Sequence, residues 1–181
     1  MDVTRDYIDV RMTRENLDDI PDCALPAGYA IRWYQPGEEK AWHEIQSLAD
    51  KYNKITPDLF QEEFGTDTRV LSDRQCFLYD GDSNAVGTAS AWLDDQEGQS
   101  LGRVHWVAII PRCQSKGLAK PLLAAVCNRL KNLGHDRTYL TTQTCRLPAI
   151  NLYAKFEFAP VIDSDRSRRI WQELAAHVRY L

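Results

Sequence analysis

Between Pro111 and Leu123 the sequence reads PRCQSKGLAKPLL, a glycine flanked by lysines at the mouth of an amphipathic run. That composition suits a polyanion. The first turn of a helix has unpaired N–H groups and a partial positive charge, and glycine lets phosphate oxygens approach the backbone closely. Arg112, Lys116 and Lys120 add charge, and Gln114 can bond a phosphate or brace the loop. An ordinary solvated helix start shows the same glycine spacing, so this stretch alone leaves both readings open. Other chemistries lack support. The four histidines have no metal-ligand spacing, no GxSxG elbow is present, and the five cysteines form no CxxC pair.

The elements around the loop follow from periodicity. Tyr29 to Tyr34 is a β-rich run, and residues 1–27 before it read as an N-terminal arm, leaving 28–181 as a single domain. Ala41, Trp42, Ile45, Leu48, Ala49 and Tyr52 keep helical spacing over Glu38 to Tyr52; a shorter helix is expected from Thr56 and Pro57 to about Gly65. Three strands follow at 75–79, 85–93 and 103–110, an antiparallel meander. Leu118, Leu122, Val126, Leu130 and Leu133 then stripe a helix ended by Gly134, and a strand at 138–144 completes a βαβ crossover with a parallel pair. A helix from Pro148, a strand at 158–162 and an amphipathic helix marked by Ile170, Trp171, Leu174, Val178 and Leu181 close the chain. The fold class is α+β: a mixed sheet, meander plus parallel βαβ unit, with helices on both faces. Pro121 lacks an N–H and its ring crowds the carbonyl of Gly117, so the loop helix is expected to kink or start late.

The segment Gln114, Ser115, Lys116, Gly117, Leu118, Ala119 resembles the acyl-coenzyme-A loop of the GNAT superfamily of N-acetyltransferases, and the preceding HWVAIIP resembles the strand that leads into it. NLYAKFEF, Asn151 to Phe158, resembles a second motif of that family, an Asn-Leu-Tyr helix followed by a Phe-containing strand. Glu157 stands where that motif usually has glycine, which bears on the helix exit. The resemblance implies that Arg112, Gln114, Lys116, Gly117, Leu118 and Ala119 hold the pyrophosphate of acetyl-CoA. It also implies that the backbone of Val107 and Ile109 pairs with the pantetheine arm, an N–H near Val107 polarising the acetyl carbonyl. Asn151 would bond that arm or shape its channel.

Amine acetylation needs a neutral amine and a proton for the departing thiolate. The resemblance gives the second task to Tyr153; a helix aromatic packed on the sheet is the alternative. Strict alternation along 103–110 puts Arg103, His105, Val107 and Ile109 on one face and Val104, Trp106, Ala108 and Ile110 on the other. His105 is the candidate base, because an imidazole titrates near pH 6.5 in isolation (about that value in model peptides); a structural histidine is the alternative. Arg103 cannot be a base and would bind an acidic acceptor or pair with a carboxylate. Asp58, Glu62, Glu63, Asp94 and Asp95 either attract a cationic amine or are solvated surface. The five tryptophans are core or interface anchors, and nothing marks Cys113 or Cys145 as a nucleophile.

A formal net charge of -4 disfavours broad nucleic-acid or anionic-membrane binding. No apolar run spans a bilayer, no signal peptide is visible, and unpaired cysteines suit a reducing compartment, so a cytoplasmic location is expected. The resulting expectation is an acetyl-CoA-dependent N-acetyltransferase that uses no metal and acts on a primary amine of a small molecule or peptide by direct attack. Its alternatives are a non-catalytic acyl-CoA sensor or an interaction domain. The stripe of the C-terminal helix could pack on the sheet or on a second subunit, and a homodimer is also expected.

Overall fold

The computed structural model describes residues 2–96 and 99–180, apart from the side chains of residues 95, 96 and 99; Asp95 and Leu181 therefore lie outside the described side chains. In chain order the elements are β1 (Asp9–Arg14), β2 (Ala30–Trp33), α1 (Glu39–Ala49), α2 (Leu59–Phe64), α3 (Thr68–Arg74), β3 (Gln75–Tyr79), β4 (Ala85–Gln96), β5 (Gln99–Ile109), α4 (Ala119–Asn132), β6 (Thr138–Gln143), α5 (Leu147–Lys155), β7 (Ala159–Pro160) and α6 (Asp165–Ala175). The strands hydrogen-bond in the order β2-β3-β4-β5-β6-β1-β7. Pairing is antiparallel for β2 with β3, β3 with β4, and β1 with both β6 and β7; β5 and β6 are parallel. The expected α+β mixed sheet is present.

The chain divides into two compact units, one of residues 22–92 and 104–129, the other of residues 1–21, 93–103 and 130–181. In the first, β3 is buried throughout, and α1 and α2 meet through rings. Trp42 lies 5.5 Å from Phe60, 5.6 Å from Phe64 and 5.2 Å from Trp106, edge to face. Leu118, Leu122, Leu123, Val126 and Cys127 give this unit the buried stripe of α4. Leu48 and Tyr52, counted in the apolar stripe of α1, are exposed instead: Tyr52 lies beyond the end of the helix at Ala49, and Leu48 sits on its solvent side.

In the second unit the arm reading fails. Residues 9–14 are a strand, in register with β6 from Asp9↔Gln143 to Arg14↔Thr138. Its inward side chains are Val10, Met12 and Arg14, and the buried arginine breaks the apolar alternation by which a strand is recognised. Arg14, 2% exposed, donates to the carbonyls of Asn16, Asp19 and Phe156 and pairs with Glu157 at 3.2 Å. Of the two alternatives for the stripe Ile170, Trp171, Leu174 and Val178, the structure shows the first kind: it is buried within the chain.

Candidate active site

The loop between β5 and α4 begins with the Ile110 N–H donating to Val86 O at 2.9 Å and a single tight helical turn over Pro111–Cys113. Gln114 turns back, its Nε2 donating to Ile109 O at 2.8 Å, so its amide braces the loop. Ser115 and Gly117 both take left-handed backbone, φ 61° and 79°. Such reversals gather backbone N–H groups into anion-binding concavities. At Gly117 no heavy atom stands within 4 Å of where a Cβ would lie, which leaves room beside the backbone. Lys116 and Lys120 are exposed, Leu118 is buried and Ala119 half-buried. The loop therefore fits a pyrophosphate of acetyl-CoA: its polar edge is open and its apolar residue anchors it.

The helix begins at Ala119, two residues after Gly117, so the late start expected from Pro121 is observed. Pro121 falls in the first turn, where its missing N–H has no intrahelical partner to lose. Arg112 is drawn to Asp80, 3.6 Å away. Hydrogen bonds from Asn84, with Arg112 contributing last among its partners, hold the Asp80 carboxyl below the usual carboxylate range.

On β5 the strict alternation is overturned. Trp106 has φ 48°, and this left-handed residue turns the strand so that His105 and Trp106 present their side chains to the same acceptor. Glu63 Oε2 lies 2.7 Å from His105 Nε2 and accepts the Trp106 Nε1–H at 2.9 Å. Phe64, the next residue on α2, packs on His105 at 5.8 Å. The backbone carbonyl of Trp106 accepts from Gln46 Nε2 at 3.0 Å. The sequence offers Glu63 only within an acidic group that could attract a cationic amine, not as a partner of His105, and it does not single out Gln46. The signal for Glu63 lies in its helix, since Phe60 must face inward and Glu63, three residues on, shares its side of the helix. Asp58 and Glu62 point to solvent.

Val107 is half-buried and Ile109 nearly buried, on the same strand as His105. The parallel ladder with β6 takes up Gly102 and Arg103 of β5, opposite Thr138 and Tyr139.

Tyr153 and Asn151 belong to the other unit. Tyr153 is 8% exposed with its ring 6.0 Å from Phe158. Asn151 Nδ2 donates to Leu147 O at 2.9 Å, and its Oδ1 accepts the Arg179 N–H at 2.9 Å. The first bond lies within α5, and the second ties the C-terminal segment to it. Glu157, at the motif's usual glycine, has φ 59°, the left-handed conformation that glycine would supply. Arg103 lies 5.7 Å over the Tyr139 ring, and the Tyr139 hydroxyl donates to Asp94. Asp94 thus has an internal partner. A cavity of about 460 Å³ beside β1 and the start of α6, with Arg11, Asp163 and Arg166 in its wall, includes none of the motif residues. Among the described residues no three His, Cys, Asp or Glu side chains gather as a metal site.

The model of the acetyltransferase (GNAT) family matches residues 39–158, well over half the chain. The chain is 28% identical over 160 residues to a mycothiol acetyltransferase of Pseudarthrobacter chlorophenolicus, covering 85% of this chain and 49% of that protein. It thus spans about half the length of the curated relatives it matches. Among solved structures, a GCN5-related N-acetyltransferase from Sphaerobacter thermophilus superposes with TM-score 0.68 at 21% identity, over 84% of this chain and 48% of that one. Naa50 of Arabidopsis thaliana, in complex with the bisubstrate analogue CoA-Ac-MVNAL, gives 0.57 at 16% identity, over 75% and 86%. The family match covers α1 through the NLYAKFEF segment and so takes in the loop after β5, the strand turned at Trp106 and the second motif: the chain belongs to the GNAT acetyltransferase family.

Proposed function

We propose that this chain is an acetyl-CoA-dependent N-acetyltransferase that transfers an acetyl group to a primary amine by direct attack while both substrates are bound. The observation that carries the reading is the loop after β5, with Ser115 and Gly117 left-handed and open space at the Gly117 Cβ position, inside the family match. Bound acetyl-CoA supplies the activated acyl group. Leu118, Ala119 and the Gly117 backbone hold its pyrophosphate, with Lys116 and Arg112 adding charge and Gln114 bracing the turn. The backbone of Val107 and Ile109 binds the pantetheine arm, and the Val107 N–H stabilises charge on the acyl oxygen.

His105 accepts the amine proton, directly or through a water, while Glu63 orients the ring and favours its protonated form as charge arrives. That assignment is supported by the 2.7 Å contact between Glu63 Oε2 and His105 Nε2. By its place in the family motif, Tyr153 returns a proton to the departing thiolate, and Asn151 shapes the arm's channel. The acceptor is a small molecule or peptide; the relatives named mycothiol acetyltransferase favour a small molecule. Unpaired cysteines support a cytoplasmic location, and no described helix is long and apolar enough to cross a membrane. A homodimer remains part of this proposal, through a surface other than the α6 stripe.

Calorimetric titration with acetyl-CoA, repeated on Gly117→Trp, tests the reading. Binding in the micromolar range that the variant loses is expected, followed by transfer to members of an amine panel that Tyr153→Phe slows. Binding without transfer to any amine would turn the reading into an acyl-CoA sensor, and absent binding would leave an interaction domain.

A further inference from the structure

A tryptophan takes left-handed backbone only where its surroundings hold it there, and at φ 48° Trp106 is held twice. Its indole Nε1–H donates to Glu63, and its carbonyl accepts from Gln46. Gln46 is 2% exposed on α1, one residue from the buried Ile45. Leucine or methionine would satisfy packing there. A buried carboxamide is costly unless it is bonded, and this one donates to the Trp106 carbonyl.

The direction of that bond fixes a second group. No described peptide bond is cis, so the carbonyl of Trp106 and the N–H of Val107 point in opposite directions across one rigid plane. Gln46 draws the carbonyl toward α1 and thereby turns the Val107 N–H away from α1. If Gln46 released the carbonyl, the peptide would be free to rotate back toward the ordinary pleat, and the N–H would rotate with it.

We infer that Gln46 is a positioning residue for acyl transfer: by holding the Trp106 carbonyl it aims the Val107 N–H at the acyl oxygen. This rests on the acetyl-transfer reading given above. Gln46 touches neither substrate in this role. Its effect passes through one peptide plane.

The test uses the intact protein, Gln46→Met and Gln46→Glu, each bound to acetyl-CoA labelled with carbon-13 at the thioester carbonyl. In the unaltered protein the bound carbonyl stretch is expected at lower frequency than in free acetyl-CoA, because a hydrogen-bond donor polarises it. In both variants it is expected to return most of the way to the free value, while acetyl-CoA affinity stays unchanged and the protein stays folded at the assay temperature, with a lowered melting temperature. The kcat for an accepted amine should fall at least tenfold without a change in KM for acetyl-CoA, removal of one such donor costing about 10²–10³ in kcat. Should Gln46→Met fold poorly, Gln46→Glu, of the same shape, carries the test at a pH high enough to ionise the buried carboxyl, so that only acceptors face the carbonyl. A carbonyl frequency and kcat in folded variants equal to those of the unaltered protein would overturn the inference. If the unaltered protein fails to bind acetyl-CoA, the acetyl-transfer reading fails first, and that result is distinct from a Gln46 effect.

Discussion

Glu63 takes two donors on one carboxylate oxygen, the ring of His105 and the indole of Trp106. The two donors are neighbours in sequence, which regular strand geometry would place on opposite faces. One left-handed residue brings them together, and nothing in RVHWVAII announces it, because left-handed backbone is ordinarily signalled by glycine or asparagine. Residue types were legible here; their directions were not. Replacing Glu63 with glutamine keeps the shape and removes the charge facing His105. Glu63→Gln is expected to lower kcat about tenfold to a hundredfold, no more than the low end of what acid–base assistance contributes because the imidazole itself is kept, and to leave KM for acetyl-CoA unchanged. Steady-state kinetics with an accepted amine would show it. A rise in KM for acetyl-CoA with kcat intact would instead make Glu63 a packing residue.

At the scale of elements, the strongly periodic segments read true. The stripe of α4, the Pro-started α5 and the meander strands appear close to their expected limits. The misses share a cause. In α3, TRVLSDR, only Leu71 is buried and Val70 is exposed, so no stripe marks the helix. In β1 a buried arginine occupies an inward position. That arginine also governs how α5 ends, bonding the Phe156 carbonyl and pairing with Glu157. Glu157 carries the cost of left-handed backbone with a Cβ, about 1–2 kcal/mol. Glycine escapes that cost and alanine does not. Glu157→Gly is therefore expected to be more stable than Glu157→Ala by about 1 kcal/mol in urea unfolding, both having lost the pair with Arg14. Equal stabilities would mean that the exit is relaxed for any residue.

At the scale of the whole molecule, the hydroxyls of Tyr34, Tyr79 and Tyr139 donate to carboxylates, of Glu39, Glu38 and Asp94 in turn. Burial first, and the adjacent carboxylate second, push each phenol up to about 12 from an ordinary 10.0. A folded-state value above the unfolded one means that the protonated phenol favours folding. That stabilisation is whole below pH 10 and is lost as pH rises from 10 through about 12. Melting temperature is expected to be insensitive to these groups at neutral pH and to fall steeply across that alkaline window, with tyrosinate absorbance rising together with unfolding. Tyrosinate appearing near pH 10 in the folded protein would contradict it.

The placement of β1 also sets an order in time. Thr13 bonds Thr138 across 125 positions and Arg14 bonds Phe156 across 142, so this strand leaves the ribosome long before its partners exist. Residues 22–92 and 104–129, which carry the phosphate-type loop, form a unit whose last residue is synthesised before β6 begins. The loop's unit can thus organise on the nascent chain while the first strand waits, and the second unit closes only after β7 emerges, the long-range closure that makes β pairing slow.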